Sequence, residues 1–136
     1  MKTALAKAHR QDNASVLRVL VIDDDDVARE IIVDVLAREG HNVTSLPSPI
    51  GATKHIVEHQ IEVVVLDVMM PSMRGDKLAA LLGRNPKLKN LGVVLVTSAR
   101  AEDVSMLADS VSSVTIVTKD GLQADLPQAV RRAAKR

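Results

Sequence analysis

The sequence contains no cysteine and no aromatic residue. Without thiols there is no disulfide and no thiolate metal site, which suits a reducing compartment. Without Phe, Tyr or Trp there is no platform for stacking single-stranded bases. A core must then be assembled from Val, Leu, Ile, Ala and Met. An excess of one charge is also missing, since 18 Lys and Arg offset 17 Asp and Glu. No global field points to nucleic acid or to a membrane surface. No apolar run approaches the roughly 20 residues that span a bilayer, and Met1 to Ser15 lacks the apolar stretch of a signal peptide. The expectation is a cytoplasmic protein with no direct nucleic-acid or membrane contact.

What is present suits one domain and is too short for two. Residues 1–15, with Lys2, Lys7 and Arg10, read as a disordered or extended basic leader. Residues 16–136 read as the domain. Leu17 to Ile22 and Ile61 to Leu66 are nearly continuous apolar runs, as in strands covered on both faces. His41 to Leu46 is a weaker strand, and Gly92 to Val96 and Val114 to Val117 are two more.

Between the strands lie helical patterns. Asp26 to Glu39 carries Ile31, Ile32, Val35 and Leu36, with Gly40 as a stop. Asp26 is expected to cap that helix, with Asp25 facing solvent. Ser48-Pro49 opens a helix to about Gln60, Asp76 to Arg84 is short, Ala101 to about Asp109 follows, and Asp125-Leu126-Pro127 starts the last. Five strand–helix units in tandem imply an α/β fold, a parallel sheet with helices on both faces.

Open parallel sheets bind ligands beyond the carboxyl ends of their strands. The polar residues collect there: Asp23 to Asp26 after the first strand, Asp67 after the third, Thr97 and Ser98 after the fourth, and Thr118 and Lys119 after the fifth. Converging carboxylates repel one another, and a hard divalent cation such as Mg²⁺ cancels that repulsion with oxygen ligands only. A carboxylate beside such an ion can attack phosphorus to form an acyl phosphate. Lys119 would neutralise charge on the phosphoryl oxygens, and the Thr97 hydroxyl could bond one of them and draw in its loop as a switch. His55 and His59 stand four apart on a helix, but no third zinc ligand is evident. Met69, Met70 and Met73 read as packing.

Taken in order, Val19 to Asp25, Val63 to Gly75, Val94 to Ser98 and Thr118-Lys119 resemble the response-regulator receiver domain of two-component signalling. The resemblance covers about Val16 to Arg136. It implies a doubly wound five-stranded sheet in the flavodoxin-like order 2-1-3-4-5. It implies Asp67 as phosphoacceptor and Mg²⁺ held by Asp23, Asp24, Asp67 and the Met69 main-chain carbonyl, with Asp24 the direct ligand of the acidic pair. Thr97 and Lys119 match the switch hydroxyl and the phosphate-binding lysine, with Ser98 and Ile116 in secondary positions. Pro71 and Gly75 match the turn into the third helix. The implied partners are a histidine kinase or phosphotransfer protein as donor and a downstream protein target. The implied state is a monomer or weak dimer, and with nothing after Arg136 the expectation is a stand-alone relay.

Three positions depart from the family pattern. Asp120 stands where proline is usual, Ile116 where an aromatic is usual, and Ser112 where glycine is common. These changes leave the phosphorylation chemistry untouched but put the usual output face in doubt. Met69 and Ala99 occupy positions that tune phosphoryl loss in the family; neither can orient water, so slow self-dephosphorylation is expected. Two further readings compete. One is a non-phosphorylated receiver acting as an interaction module. The other is a haloacid-dehalogenase-type phosphatase with Asp23 as nucleophile, which leaves the Asp67 to Gly75 block unexplained.

Overall fold

The apolar runs become the inner strands of one sheet. The computed structural model describes residues 15–98 and 114–134. Within them lie β1 (Arg18–Ile22), α1 (Asp26–Arg38), β2 (Asn42–Leu46), α2 (Ala52–Glu58), β3 (Val63–Asp67), α3 (Gly75–Gly83), β4 (Gly92–Thr97), β5 (Thr115–Thr118) and α4 (Leu122–Ala134). The sheet order is β2-β1-β3-β4-β5, and every neighbouring pair is parallel. This is the doubly wound order expected. The leader through residue 14, the helix expected at 101–109, Ala99 and Ser112 lie outside the described residues.

Strand residues alternate between two apolar layers, as the pleat requires. Leu20, Ile22, Val64, Leu66 and Leu95 join Ile56, Leu78 and Leu82 on the α2/α3 side. Val19, Val21, Val63, Val65, Val94 and Val96 join Ile32, Leu36, Leu126 and Val130 on the α1/α4 side. Both faces of β1, β3 and β4 are thereby covered, which is why those strands read as unbroken apolar runs. Gly92 is required where β4 begins, because a Cβ there would stand 2.5 Å from the Ala133 carbonyl oxygen of α4.

The helix boundaries correct several expectations. Asp25, not Asp26, caps α1: its side chain accepts from the Ala28 amide at 2.7 Å. Asp26 is the first helical residue and pairs instead with Arg29. An Asp run offers several possible caps, and the bend after β1 selects one. α1 stops at Arg38, and Gly40 follows as the expected stop, with a φ of 90° that a side chain would resist. Ile31 is exposed while Ile32 and Leu36 are buried, so the buried stripe is narrower than the apolar pattern.

Ser48-Pro49 does not open α2. The Ser48 hydroxyl takes the Ile50 amide in a turn, and the helix starts after Gly51, whose φ is 81°. α4 begins ahead of Asp125, because a 3₁₀ turn at Lys119–Gly121 runs straight into it. Pro127 therefore lies inside the helix. The carbonyl it leaves without its helical donor belongs to the exposed Gln123, where water can serve.

Candidate functional site

The chain leaves β1 for β2 on one side and returns to β3 on the other, so β1 and β3 flank the point where the winding reverses. Crevices form at the carboxyl ends of strands at such a point. Ile22 is level with Leu66, so the next residues, Asp23 and Asp67, emerge side by side. One carboxylate oxygen from each of Asp23, Asp24 and Asp67 lies within 4.8 Å of the others. Asp23 and Asp67 are buried, while Asp24 is exposed.

Each acid is held differently. Asp23 Oδ1 accepts the Asp25 amide at 3.0 Å. Asp23 Oδ2 is buried with no hydrogen-bond partner. Burial pushes the Asp23 carboxyl from its ordinary 3.8 up to about 6; the Asp25 amide and Lys119 pull it down, and the Asp67 charge pushes it up. Once protonated, Asp23 can donate to Asp67. Asp67 Oδ1 accepts the Met69 amide at 3.3 Å and faces Lys119 Nζ at 3.7 Å.

The neighbouring strands add the remaining groups. Asp67 is level with Val96, so Thr97 stands one step further along the adjacent strand, fully buried. Thr97 is level with Thr118 of β5, and Lys119 follows. Ser98 lies past the end of β4 and is exposed. Ile116 is half-buried against the α2/α3 layer. Met70 is buried and Met73 packs on the core, but Met69 is 60% exposed. Its sulfur lies 3.8 Å from the Arg74 guanidinium, which corrects the reading of Met69 as packing.

The donor set fits a hard divalent cation. Three clustered carboxylates, one presenting a buried oxygen without a partner, need a positive charge and supply only oxygen. His55 and His59 show no such convergence. Their rings stand 4.1 Å apart and His55 Nε2 bonds the Thr44 hydroxyl at 2.8 Å.

Two residues matter more than sequence reading suggested. Gly75 donates its amide to the Val68 carbonyl at 2.9 Å, and any Cβ there would run into the Asp67 carbonyl oxygen. The glycine lets α3 start directly against the backbone of Asp67. Arg29 is not singled out by any motif. Its guanidinium reaches back to the Asp23 carbonyl and to Asp26; the only signal is a basic residue three positions after Asp26.

Fold and acids together define a doubly wound α/β protein with a clustered carboxylate site at its switch point. The family model of the response regulator receiver domain matches residues 19–131, and the chain belongs to that family, which works in two-component signalling. It is 34% identical over 99 residues to the 3',5'-cyclic-nucleotide phosphodiesterase regA of Dictyostelium discoideum, a match covering 71% of this chain and 12% of that protein. It is 36% identical over 81 residues to the two-component response regulator ORR8 of Oryza sativa subsp. indica, covering 59% of this chain and 67% of the other. The chain thus spans only a small part of the first relative. The fold matches chemotaxis protein CheY4 of Vibrio cholerae with a TM-score of 0.76 at 18% identity, over 88% of this chain and 99% of that one. Among the described residues no helix is long and apolar enough to cross a membrane.

Proposed function

We propose that this receiver domain, spanning residues 16–136, accepts a phosphoryl group on Asp67, with Mg²⁺ held by Asp23, Asp24, Asp67 and the Met69 main-chain carbonyl. The observation that carries the reading is the meeting of three carboxylates within 4.8 Å with an ammonium 3.7 Å from one of them.

An Asp67 carboxylate oxygen attacks phosphorus in line with the donor's leaving group. A P–O bond to Asp67 forms as the bond from phosphorus to the donor breaks, and the leaving group departs with that electron pair and takes up a proton from solvent. Lys119 neutralises charge gathering on the phosphoryl oxygens. Asp23 and Asp24 supply the oxygens that hold the cation, and Met69 adds its carbonyl. When bound, Mg²⁺ supplies charge neutralisation and a fixed orientation for the phosphoryl oxygens. Thr97 then offers its hydroxyl to a phosphoryl oxygen, and the end of β4 shifts toward the site as the switch. Met69 at the mouth carries no group that could activate water, which supports slow loss of the phosphoryl group.

The donor is a histidine kinase or phosphotransfer protein, and output passes to a downstream protein target, with no nucleic acid or membrane engaged directly. The compartment is the cytoplasm, and the working state a monomer or weak dimer. Exposed Val27 and Ile31 on α1, and a cavity of about 500 Å³ running from Ile31 to Lys119 and Leu122, support protein docking beside the site. The chain's catalysis is confined to its own phosphorylation and dephosphorylation. A dehalogenase-type phosphatase with Asp23 as nucleophile could use Thr97 and Lys119, but it leaves the Asp67 to Gly75 block without a role.

The interaction-module reading draws on Ile116, which cannot act as a rotating aromatic reporter. Incubation with Mg²⁺ and acetyl phosphate, read by intact mass, separates the two. One phosphoryl adduct in the native chain and none in Asp67→Asn supports the receiver; no adduct in either leaves the interaction module.

A further inference from the structure

We infer that Arg29 is a positioning residue for the metal-binding acids, acting on the main chain of Asp23 and not through its charge. The inference rests on the Mg²⁺ reading of the site. Arg29 Nη1 donates to the Asp23 carbonyl oxygen at 2.7 Å. Nη2 donates to Asp26 Oδ1 at 2.6 Å. The side chain is only 17% exposed, against 81% for Asp26, so the fork is seated at the Asp23 end and reaches solvent at the other.

The place of that carbonyl explains its importance. Pairing of β1 with β2 and β3 ends at Ile22. Asp23 is fully buried, so the peptide joining Asp23 to Asp24 leaves the sheet just where its carbonyl loses the ladder. A buried carbonyl needs a donor, and the guanidinium Nη1 provides it. That peptide connects two of the three clustered acids. If its plane tilts, Asp23 and Asp24 swing in opposite senses and leave the common centre they share with Asp67. The rest of the turn is tied to the same frame: Asp23 Oδ1 takes the Asp25 amide, Asp25 caps α1 through Ala28, and the Arg29 amide donates to the Asp25 carbonyl at 2.9 Å.

Charge and geometry predict opposite results. The positive charge of Arg29 is matched by Asp26 at contact distance, and its bond to Asp23 goes to the carbonyl, not the carboxylate. If Arg29 acted as a nearby cation, its removal would make the acidic loop more negative and Mg²⁺ would bind more tightly. If it holds the peptide, its removal weakens binding, as loss of an outer partner of a metal ligand does.

The test is Mg²⁺ titration of the full chain by calorimetry and amide NMR, comparing native protein, Arg29→Gln and Arg29→Lys. We expect Arg29→Gln to bind Mg²⁺ about tenfold more weakly. Arg29→Lys, which keeps the charge without the planar fork, should recover only part of that loss. Without Mg²⁺, the amide signals of Asp24 and Asp25 should shift in both variants while those of β4 stay in place, which a general loss of stability would not produce. Equal or tighter Mg²⁺ binding by Arg29→Gln, or full recovery by Arg29→Lys, overturns the inference and leaves the site reading intact. Failure of the native chain to bind Mg²⁺ removes both.

Discussion

Lys119 Nζ stands 3.7 Å from Asp67 Oδ1, close enough for attraction and too far for a direct hydrogen bond. The two residues leave adjacent parts of one sheet edge, Asp67 closing β3 and Lys119 following β5, with β4 between them. The ammonium is 36% exposed while the carboxylate is nearly buried. The cation thus approaches the acid from the open side of the crevice, where an incoming phosphoryl group would lie. Lys119→Met should leave the fold intact and lower the rate of Asp67 phosphorylation by acetyl phosphate on the order of a hundredfold. Mass spectrometry of adduct formation against time measures it, and an unchanged rate would show the lysine to be only a structural ion-pair partner.

Asp23 is costly to the fold. A carboxyl moved from 3.8 to about 6 corresponds to about 3 kcal/mol at neutral pH. Because the folded value lies above the unfolded one, this group favours the folded state fully below about pH 4, and the benefit is lost as pH rises through about 6. Asp23→Asn cannot ionise, so at pH 7.5 it should unfold at higher urea than the native chain by about 1–3 kcal/mol. The difference should close as pH falls toward 4, and Mg²⁺ should stabilise the native chain but not the variant. A less stable variant at pH 7.5 would contradict the account.

Gly75→Ala places a methyl group against the Asp67 carbonyl oxygen, and backbone must move to admit it. Destabilisation of about 2 kcal/mol is expected, together with slower phosphorylation if Asp67 is the acceptor proposed above, because the displaced atoms are its own. Gly83→Ala in the same helix is the control. A Cβ there meets open space, so the change should be neutral or stabilising by about 0.5–1 kcal/mol. Urea denaturation of both variants, with equal effects counting against the argument, is the measurement.

At the opposite end of the sheet His41 is buried. Its Nδ1 accepts the Leu17 amide at 3.1 Å, so the neutral ring carries its proton on Nε2, which has no partner. Burial holds its pKa below 6.5; Glu39 and Glu62 pull it up and Arg131 pushes it down. A depressed folded value means that the stability it contributes is present above pH 6.5 and is lost as pH falls through the folded value. Protonation would also remove the acceptor for Leu17. The urea midpoint of native protein should therefore drop more steeply below pH 6.5 than that of His41→Gln, whose amide does not titrate in this range. Parallel pH profiles would rule out His41 as the source.

Much of this was legible in the residues. β1, β3 and β4 announced themselves because both faces of each are covered, and Gly40 ended α1 where a left-handed residue was needed. The acids at the ends of β1 and β3 were readable because strand ends are where apolar periodicity stops. The caps were not. Asp25 and Asp26 have the same local chemistry, and only the bend after β1 decides which carboxylate meets the Ala28 amide. Ser48-Pro49 carries a helix-start signature that the Gly51 turn overrides, and Pro127 marks a start only when the preceding 3₁₀ turn is ignored.

Composition, periodicity and the order of polar residues by themselves determined an alternating α/β chain whose acids, hydroxyls and lysine lie at strand ends, because those properties depend on near neighbours along the chain. Tertiary structure alone decided that Asp23 and Asp67 emerge side by side, that Arg29 grips the Asp23 carbonyl, and that Gly75 must lack a side chain. Those facts depend on strand order, register and the tilt of single peptide planes, and they arise only when segments distant in sequence are pressed together.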